Sequence, residues 1–494
     1  MAKITVIGAG IGGLTAGALL AKRGHQVTVY EQSAIAGGCA STFRRKGFIF
    51  DVGATQVAGL EVGGIHQRIF QELGLEVPPA SYCDPACAVY LPDETEPICL
   101  WHDRHQWRVE RERQFPHSAN FWQFLEDLFQ RSWRFQQREP ILPPRAPSDW
   151  WQLCQAIRPD TIVTFPFTLA TVGDALRGFG LTHDRRLRAF LDLQLKLYSQ
   201  VSAEETALLY AATTLSIAQA PLGLFHLKGS MQVLSDLLLF ALEKYGGKFY
   251  PRHRVEAIEV GAQPKVQIHN LITKEKGQIA TDQVVANVTV QNLCQLLGQQ
   301  LPQGYHRKVA RLPTASGAFV VYLGVDESAV PAHCPPHLQF LDRYGDDRSL
   351  FVSVSQGGDG RAPTGKRTII ASEFTDPHLW QVDKPQYQQL KQQFTDRAIA
   401  QLGKFFNLTN NIIHQEAGTP RTFERYTARH LGQVGGVGMR VSNFGLFGFA
   451  NRLPVPKVWL VGDCTHPGEG TAGVSYSAWT AVNLLEQDLE QELS

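Results

Sequence analysis

Lys3-Ile4-Thr5-Val6-Ile7-Gly8-Ala9-Gly10-Ile11-Gly12-Gly13 stands at the head of the chain, and Gln26-Val27-Thr28-Val29-Tyr30-Glu31 follows it. The first five residues read as a short buried strand. An apolar helical pattern then runs from Leu14 through Leu20 to Arg23, and Gly24 suits the left-handed position that ends a helix. The second strand closes on an acid. Each glycine in the turn answers a physical demand. Gly8 makes the tight turn, Gly10 lets backbone approach a pyrophosphate, and Gly13 lets helix and strand pack closely. The helix N-terminus offers unpaired N–H groups and partial positive charge to phosphates. Glu31 falls where a carboxylate hydrogen-bonds the ribose hydroxyls of an adenosine. A structural turn with an ordinary glutamate is the bland alternative, and the order strand, glycines, helix, strand, acid argues against it.

The far end of the chain carries a matching signal. Lys457-Val458-Trp459-Leu460-Val461-Gly462-Asp463 reads as another buried parallel strand, and a glycine-rich turn through Gly473 leads into a helix reaching about Glu490. A domain built from both ends has the remaining chain inserted between them. At roughly 100–200 residues per domain, 494 residues leave room for two or three domains. The composition, 44% hydrophobic and 19% charged, excludes a disordered chain. Forty-seven basic against 46 acidic residues give no case for a polyanion binder. No apolar run approaches the ~18 residues of a membrane span, and the N-terminus lacks a signal-peptide layout. Eight cysteines without a repeating interval argue against a disulfide scaffold. Cys83-x3-Cys87 and His333-Cys334-x2-His337 lack second halves at zinc spacing, so no metal site is expected.

Two features separate a flavin from a nicotinamide. Gly37-Gly38 and then Phe50-Asp51-Val52-Gly53-Ala54-Thr55 form a second glycine-bearing stretch that an NAD fold does not call for. Gly462-Asp463 supplies a carboxylate acceptor for a ribityl hydroxyl, and the helix starting near Gly473 would aim its N-terminus at a reduced flavin ring. The expected cofactor is FAD.

These motifs, with Gly462-Asp463-x3-Pro467-Gly468-x-Gly470, resemble the flavin amine oxidase superfamily, and within it the phytoene desaturase and carotenoid isomerase branch. Cys39-Ala40-Ser41-Thr42 and the tail from Gly448-Phe449-Ala450-Asn451-Arg452 to Gly473-Val474-Ser475-Tyr476 most resemble C-3′,4′ carotenoid desaturases of cyanobacterial type. The resemblance implies a Rossmann-like FAD-binding domain of α/β class with an inserted α+β substrate domain. It divides the chain into FAD-binding parts at 1–80, 226–298 and 424–494 and substrate parts at 81–225 and 299–423. Implied cofactor contacts are Gly8, Gly10, Gly12, Gly13, Glu31, Gly38, Gly53, Ala54, Thr55, Val255, Gly462, Asp463, Gly473 and Val474. Cys39 stands where many members carry arginine, so Arg44 or Arg45 is the available substitute.

The implied activity is desaturation at C-3′,4′ of a 1′-hydroxylated or acyclic carotenoid end group, by hydride transfer to flavin N5 and proton loss from the neighbouring carbon. A polyene cation is delocalised, so a strong base is not obligatory. No catalytic residue is assigned. His466 is a candidate proton acceptor, with turn capping as its alternative. The rivals are a redox-neutral prolycopene-type cis–trans isomerase and a prenyl-protein-binding module of the GDP-dissociation-inhibitor type. The implied partners are a carotenoid, a membrane surface on the cytoplasmic side, and a quinone or oxygen as electron acceptor.

Six tryptophans lie between Trp101 and Trp151, mixed with arginine and no lysine. Trp122 and Trp133 flank the apolar face Phe121, Phe124, Leu125, Leu128 and Phe135. This stretch reads either as an interfacial anchor or as packed aromatic core. Nucleic-acid stacking is not expected, because 8 acids offset 9 arginines over residues 101–160. One long helical stretch is expected over about 184–244.

Overall fold

The computed structural model describes residues 1–345 and 348–493. At its centre is a five-stranded parallel sheet in the order Val458–Leu460, Gln283–Ala286, Lys3–Ile7, Gln26–Tyr30, Lys248–Tyr250. Val6 stands beside both Val29 and Val285. Strand alternation sends successive side chains to opposite faces, and both faces are buried. Ile4, Val6, Val27, Val29 and Val285 enter one core. Ile7, Tyr30, Val284 and Ala286 enter another. Burial on both sides is what makes these strands near-continuous apolar runs.

On the first face lies helix Ile11–Lys22, whose residues Ile11 to Ala21 are all buried. It is flanked by helices Gln232–Lys244 and Thr471–Leu493. A helix enclosed on all sides needs no polar stripe, which explains Ala16, Ala18, Leu19 and Leu20. On the second face lies an antiparallel sheet of His253–Glu259, Lys265–Asn270 and Lys276–Ala280.

A second, seven-stranded sheet runs in the order Ile412–Gly418, Gly317–Asp326, Lys366–Thr375, Ser349–Val354, His337–Leu341, Ala88–Tyr90, Ile98–Cys99. It therefore pairs strands from residues 88–99 with strands from residues 317–418. In Gly317–Asp326 the alternation again assigns faces. Phe319, Val321, Leu323 and Val325 pack with Trp380, Leu402 and Phe406. Ala318, Val320 and Tyr322 point the other way, beside Phe48 and Phe50.

The segment between Arg104 and Thr214 is helical around its own core. The single helix expected over 184–244 is broken. Helix Arg185–Ser199 stops where Gln200 takes φ 65°, and helix Leu208–Thr214, strand Phe225–Leu227 and helix Gln232–Lys244 follow. Apolar spacing alone could not reveal that left-handed residue. Trp107 and Trp122 are buried in an edge-to-face pair, with the Arg111 guanidinium over the Trp122 ring. The exposed tryptophans are Trp150 and Trp151.

Gly13 illustrates how the opening βα unit closes. A Cβ there would lie 2.0 Å from the Gly8 carbonyl oxygen. Gly13→Ala gains about 1 kcal/mol of helix propensity against overpacking of about 3 kcal/mol. The expected outcome is a net loss of about 2 kcal/mol, measured as a lower urea midpoint. An unchanged midpoint would mean that the helix pivots freely away from the strand.

Candidate active site

A cavity of about 1020 Å³ lies at the carboxyl ends of the parallel strands and runs beneath the seven-stranded sheet. Of the residues proposed from the sequence, Gly8, Gly10, Gly12, Glu31, Gly38, Gly53, Ala54, Thr55, Val255, Asp463, Gly473 and Val474 line it. Gly13 and Gly462 lie behind the wall and let it form. Helix Ile11–Lys22 begins at Gly10 with no side-chain cap and no acid in its first turn. Its first N–H groups are thus left for an anion.

Asn287 holds the centre of this wall. It follows the strand Gln283–Ala286 and its backbone N–H donates to the Ile7 carbonyl at 2.8 Å. A Cβ on Gly10 would lie 2.8 Å from Asn287 Nδ2, and one on Gly462 would lie 2.9 Å from Asn287 Oδ1. The sequence did carry a signal, a polar residue ending an apolar strand run, but nothing in it set Asn287 against two distant glycine turns.

Glu31 is buried, and both of its oxygens accept backbone hydrogen bonds, Oε2 from Ala9 N at 2.8 Å and Oε1 from Ser33 N at 2.7 Å. Burial pushes its pKa up, while the N–H donors of Ser33 and Ala9 pull it down. The carboxylate braces the glycine turn and keeps further lone pairs for a ribose.

Asp463 forms a partly buried ion pair with Arg429, Nη2 to Oδ2 at 2.7 Å. Arg429 lines the same cavity and also donates from Nε to the Gln433 carbonyl at 2.8 Å and to the Gly435 carbonyl. Neither Arg44 nor Arg45 lines the cavity, and Arg45 pairs with Glu416. Arg429 is the cation that the sequence reading missed, because its loop lies more than thirty residues before Asp463 in the chain. His466 does not line the cavity either. Its Nε2 lies 3.0 Å from Gln136 Oε1, and burial lowers its pKa to about 4.

Beyond this polar end the wall becomes apolar, through Leu197, Ile217, Leu224, Phe351, Ile370 and Phe374. Among the described residues no group of three or more His, Cys, Asp or Glu side chains is arranged to hold a metal ion.

Comparison with known proteins agrees with this geometry. The family model for flavin containing amine oxidoreductases matches residues 11–485, and the chain belongs to that family. Among curated relatives, prolycopene isomerase of Daucus carota is 25% identical, over 99% of this chain and 80% of its own length. The 4,4′-diapophytoene desaturase (4,4′-diapolycopene-forming) of Methylomonas sp is 25% identical, over 98% of this chain and 95% of its own. The resemblance to the carotenoid desaturase and isomerase branch is thereby borne out. Among solved structures, cyclohexylamine oxidase from Brevibacterium oxydans superposes with TM-score 0.65 at 17% identity, covering 99% of both chains. Putrescine oxidase gives 0.68 at 13% identity, covering 98% of this chain and 99% of its own. The protein is an FAD-dependent oxidoreductase, and the bare glycine turn, the uncapped helix start and the buried Glu31 fit that cofactor.

The Asp463–Arg429 pair sets a test. Asp463→Ala should lower FAD affinity by about one to two decades. It should also destabilise the fold by about 1–3 kcal/mol, because Arg429 loses its carboxylate and keeps only the Gln433 and Gly435 carbonyls. Adding Arg429→Met should restore most of the stability without restoring FAD affinity, read by urea midpoint and flavin retention. Recovery of both would confine Asp463 to a structural role.

Proposed function

We propose that this enzyme is a carotenoid desaturase that introduces a C-3′,4′ double bond into a 1′-hydroxylated or acyclic end group. The observation that carries this reading is one continuous cavity with a nucleotide-type cradle at one end and a long apolar wall at the other. The names of the relatives in Daucus carota and Methylomonas sp add the substrate class. FAD in the cradle supplies a two-electron hydride acceptor. The chain's part is to press a C–H bond of the polyene against that end, to exclude water and to hold the end group still. On this reading residues 1–80, 226–298 and 424–494 bind FAD, and residues 81–225 and 299–423 bind the carotenoid. The terminal electron acceptor is a quinone or oxygen.

A redox-neutral cis–trans isomerase is the second reading. It is favoured by prolycopene isomerases at 25–26% identity over 98–99% of this chain. Anaerobic incubation of the FAD-loaded enzyme with 1′-hydroxylated carotenoids separates the two. Desaturation bleaches the flavin and yields a product two hydrogens lighter. Isomerisation leaves both product mass and flavin oxidation state unchanged, and that outcome would replace the first reading by the second.

The carotenoid's solubility implies a membrane source, and no helix among the described residues is long and apolar enough to cross a membrane. Peripheral contact on the cytoplasmic side is therefore proposed. Trp122 and Trp133 are not the residues proposed for that contact. Trp122 is 4% exposed within the helical core and Trp133 packs against that core. Trp150, Trp151, Ile162, Val163, Phe165 and Leu169 are among the exposed apolar side chains of this region. Replacing Trp151, Phe165 and Leu169 with Ser should reduce co-sedimentation with liposomes while leaving FAD content and melting temperature unchanged. Trp122→Ala should instead cost about 3–5 kcal/mol of stability. Undiminished liposome binding by the triple variant would remove this surface from the membrane face.

A further inference from the structure

Glu469 stands two residues before helix Thr471–Leu493, in the same cavity wall as Gln200, Tyr198 and Tyr210. Gln200 Nε2 donates to Glu469 Oε2 at 3.0 Å. That bond orients the amide, since its nitrogen faces the carboxyl and its oxygen must face elsewhere. Glu469 Oε1 and Gln200 Oε1 are both buried and neither has a hydrogen-bond partner. Buried polar atoms are normally paired, so two orphans side by side in a cavity wall call for a ligand group.

The placement is built into the backbone. Gln200 holds φ 65° at the end of helix Arg185–Ser199. Gly435 approaches so closely that a Cβ would lie 2.1 Å from Glu469 Oε2. Tyr210 has no proton left for either orphan, because its hydroxyl donates to the Tyr198 carbonyl. Burial pushes the Glu469 carboxyl well above the usual range, and Asp463 adds to this while Gln200, Arg429 and the Gly436 N–H oppose it. A protonated carboxyl offers an O–H, and Gln200 Oε1 offers an acceptor. One donor beside one acceptor is the complement of an alcohol.

We propose that Glu469 and Gln200 form a specificity site for a hydroxyl group on the polyene, which donates to Gln200 Oε1 and accepts from Glu469 Oε1. This rests on the carotenoid reading above and narrows it to substrates carrying an alcohol near the reacting end. A hydrocarbon or ether end group would leave one or both oxygens unpaired in the closed complex, which a site of this kind penalises.

The test uses the FAD-loaded full chain under anaerobic conditions. Two carotenoids are compared that differ only in a 1′-hydroxyl or a 1′-methoxy group, and flavin bleaching is read at limiting substrate. The wild type should prefer the alcohol by about 10- to 100-fold. Glu469→Leu and Gln200→Leu should each reduce that preference to about threefold or less, and Glu469→Gln should retain more of it than Glu469→Leu. Flavin released per protein monitors folding; if Glu469→Leu fails to hold FAD, Gln200→Leu decides. Equal rates with both carotenoids in the wild type would overturn this proposal alone, as would a full preference surviving in a folded leucine variant. No bleaching with either carotenoid would overturn the desaturase reading and this proposal together.

Discussion

The side chain of Asn287 occupies the space that a Cβ on Gly10 or Gly462 would need, and its own carbonyl oxygen stands 2.8 Å from a Cβ built on Gly8. Three pieces of chain separated by hundreds of residues are pressed together here: the first turn, the end of Gln283–Ala286 and the turn after Val458–Leu460. The strand order forces this meeting, because Gln283–Ala286 lies between the first and the last strand of the chain. Any side chain larger than hydrogen at Gly10 or Gly462 would push the turns apart and open the floor of the cavity. The cradle is therefore a product of tertiary closure, and no single segment possesses it.

The second sheet is fixed by buried contacts at one seam to the hairpin Thr42–Arg45 and Phe48–Asp51 and to strand Phe225–Leu227. A Cβ on Gly324 would lie 2.6 Å from the Phe48 ring, and the Tyr322 hydroxyl donates to the Val52 carbonyl at 2.8 Å. Arg361 pairs with Asp51 at 3.1 Å, and Asp359 lies 2.9 Å from His226 Nε2. Asp51 lies two residues before Gly53 and His226 lies on strand Phe225–Leu227, while Asp359 and Arg361 sit between two strands of the seven-stranded sheet. Removing one member of such a buried set strands the others without partners. The seam therefore sets where the apolar wall stands relative to the cradle, and that spacing decides which carbon of a long polyene can reach the polar end.

Much of this was legible in the sequence because it rests on local constraints. The glycine spacing, Glu31 at a strand end and the return of a strand before Asp463 all follow from residues that are neighbours in the chain. The cation beside Asp463 was not legible. Arg429 reaches it from a loop after helix Pro420–Thr427, and no periodicity announces such a pairing. The same holds for Gln200, whose left-handed backbone both ends a helix that apolar spacing would continue and brings its amide to Glu469. The tryptophan-rich stretch was left open between two readings. Its helical face was read correctly as apolar, but amphipathic spacing does not say whether the face meets protein or lipid. In the structure Trp122 meets Phe121, Phe115 and Trp107, and exposure moves to Trp150 and Trp151.

The electrostatics of the polar end follow from how its charges are committed. Two helices, Ile11–Lys22 and Thr471–Leu493, begin at the cavity, and neither has an acid in its first turn. Their N-terminal partial charges are therefore not cancelled locally. The two carboxylates read from the sequence are already engaged, Glu31 by backbone N–H groups and Asp463 by Arg429. Burial pushes the Glu469 carboxyl well above the usual carboxylate range. The two helix starts face the cavity with partial positive charge, and the apolar arm through Leu197, Ile217, Leu224, Phe351, Ile370 and Phe374 presents no ionisable side chain from these residues. Such a distribution favours anionic diphosphate at one helix start and negative charge on a reduced ring at the other, while the arm puts neither a full charge nor a nucleophile against a delocalised cation. None of the arm residues Leu197, Ile217, Leu224, Phe351, Ile370 and Phe374 is a base, so on the proposed reading the arm contributes by positioning the polyene.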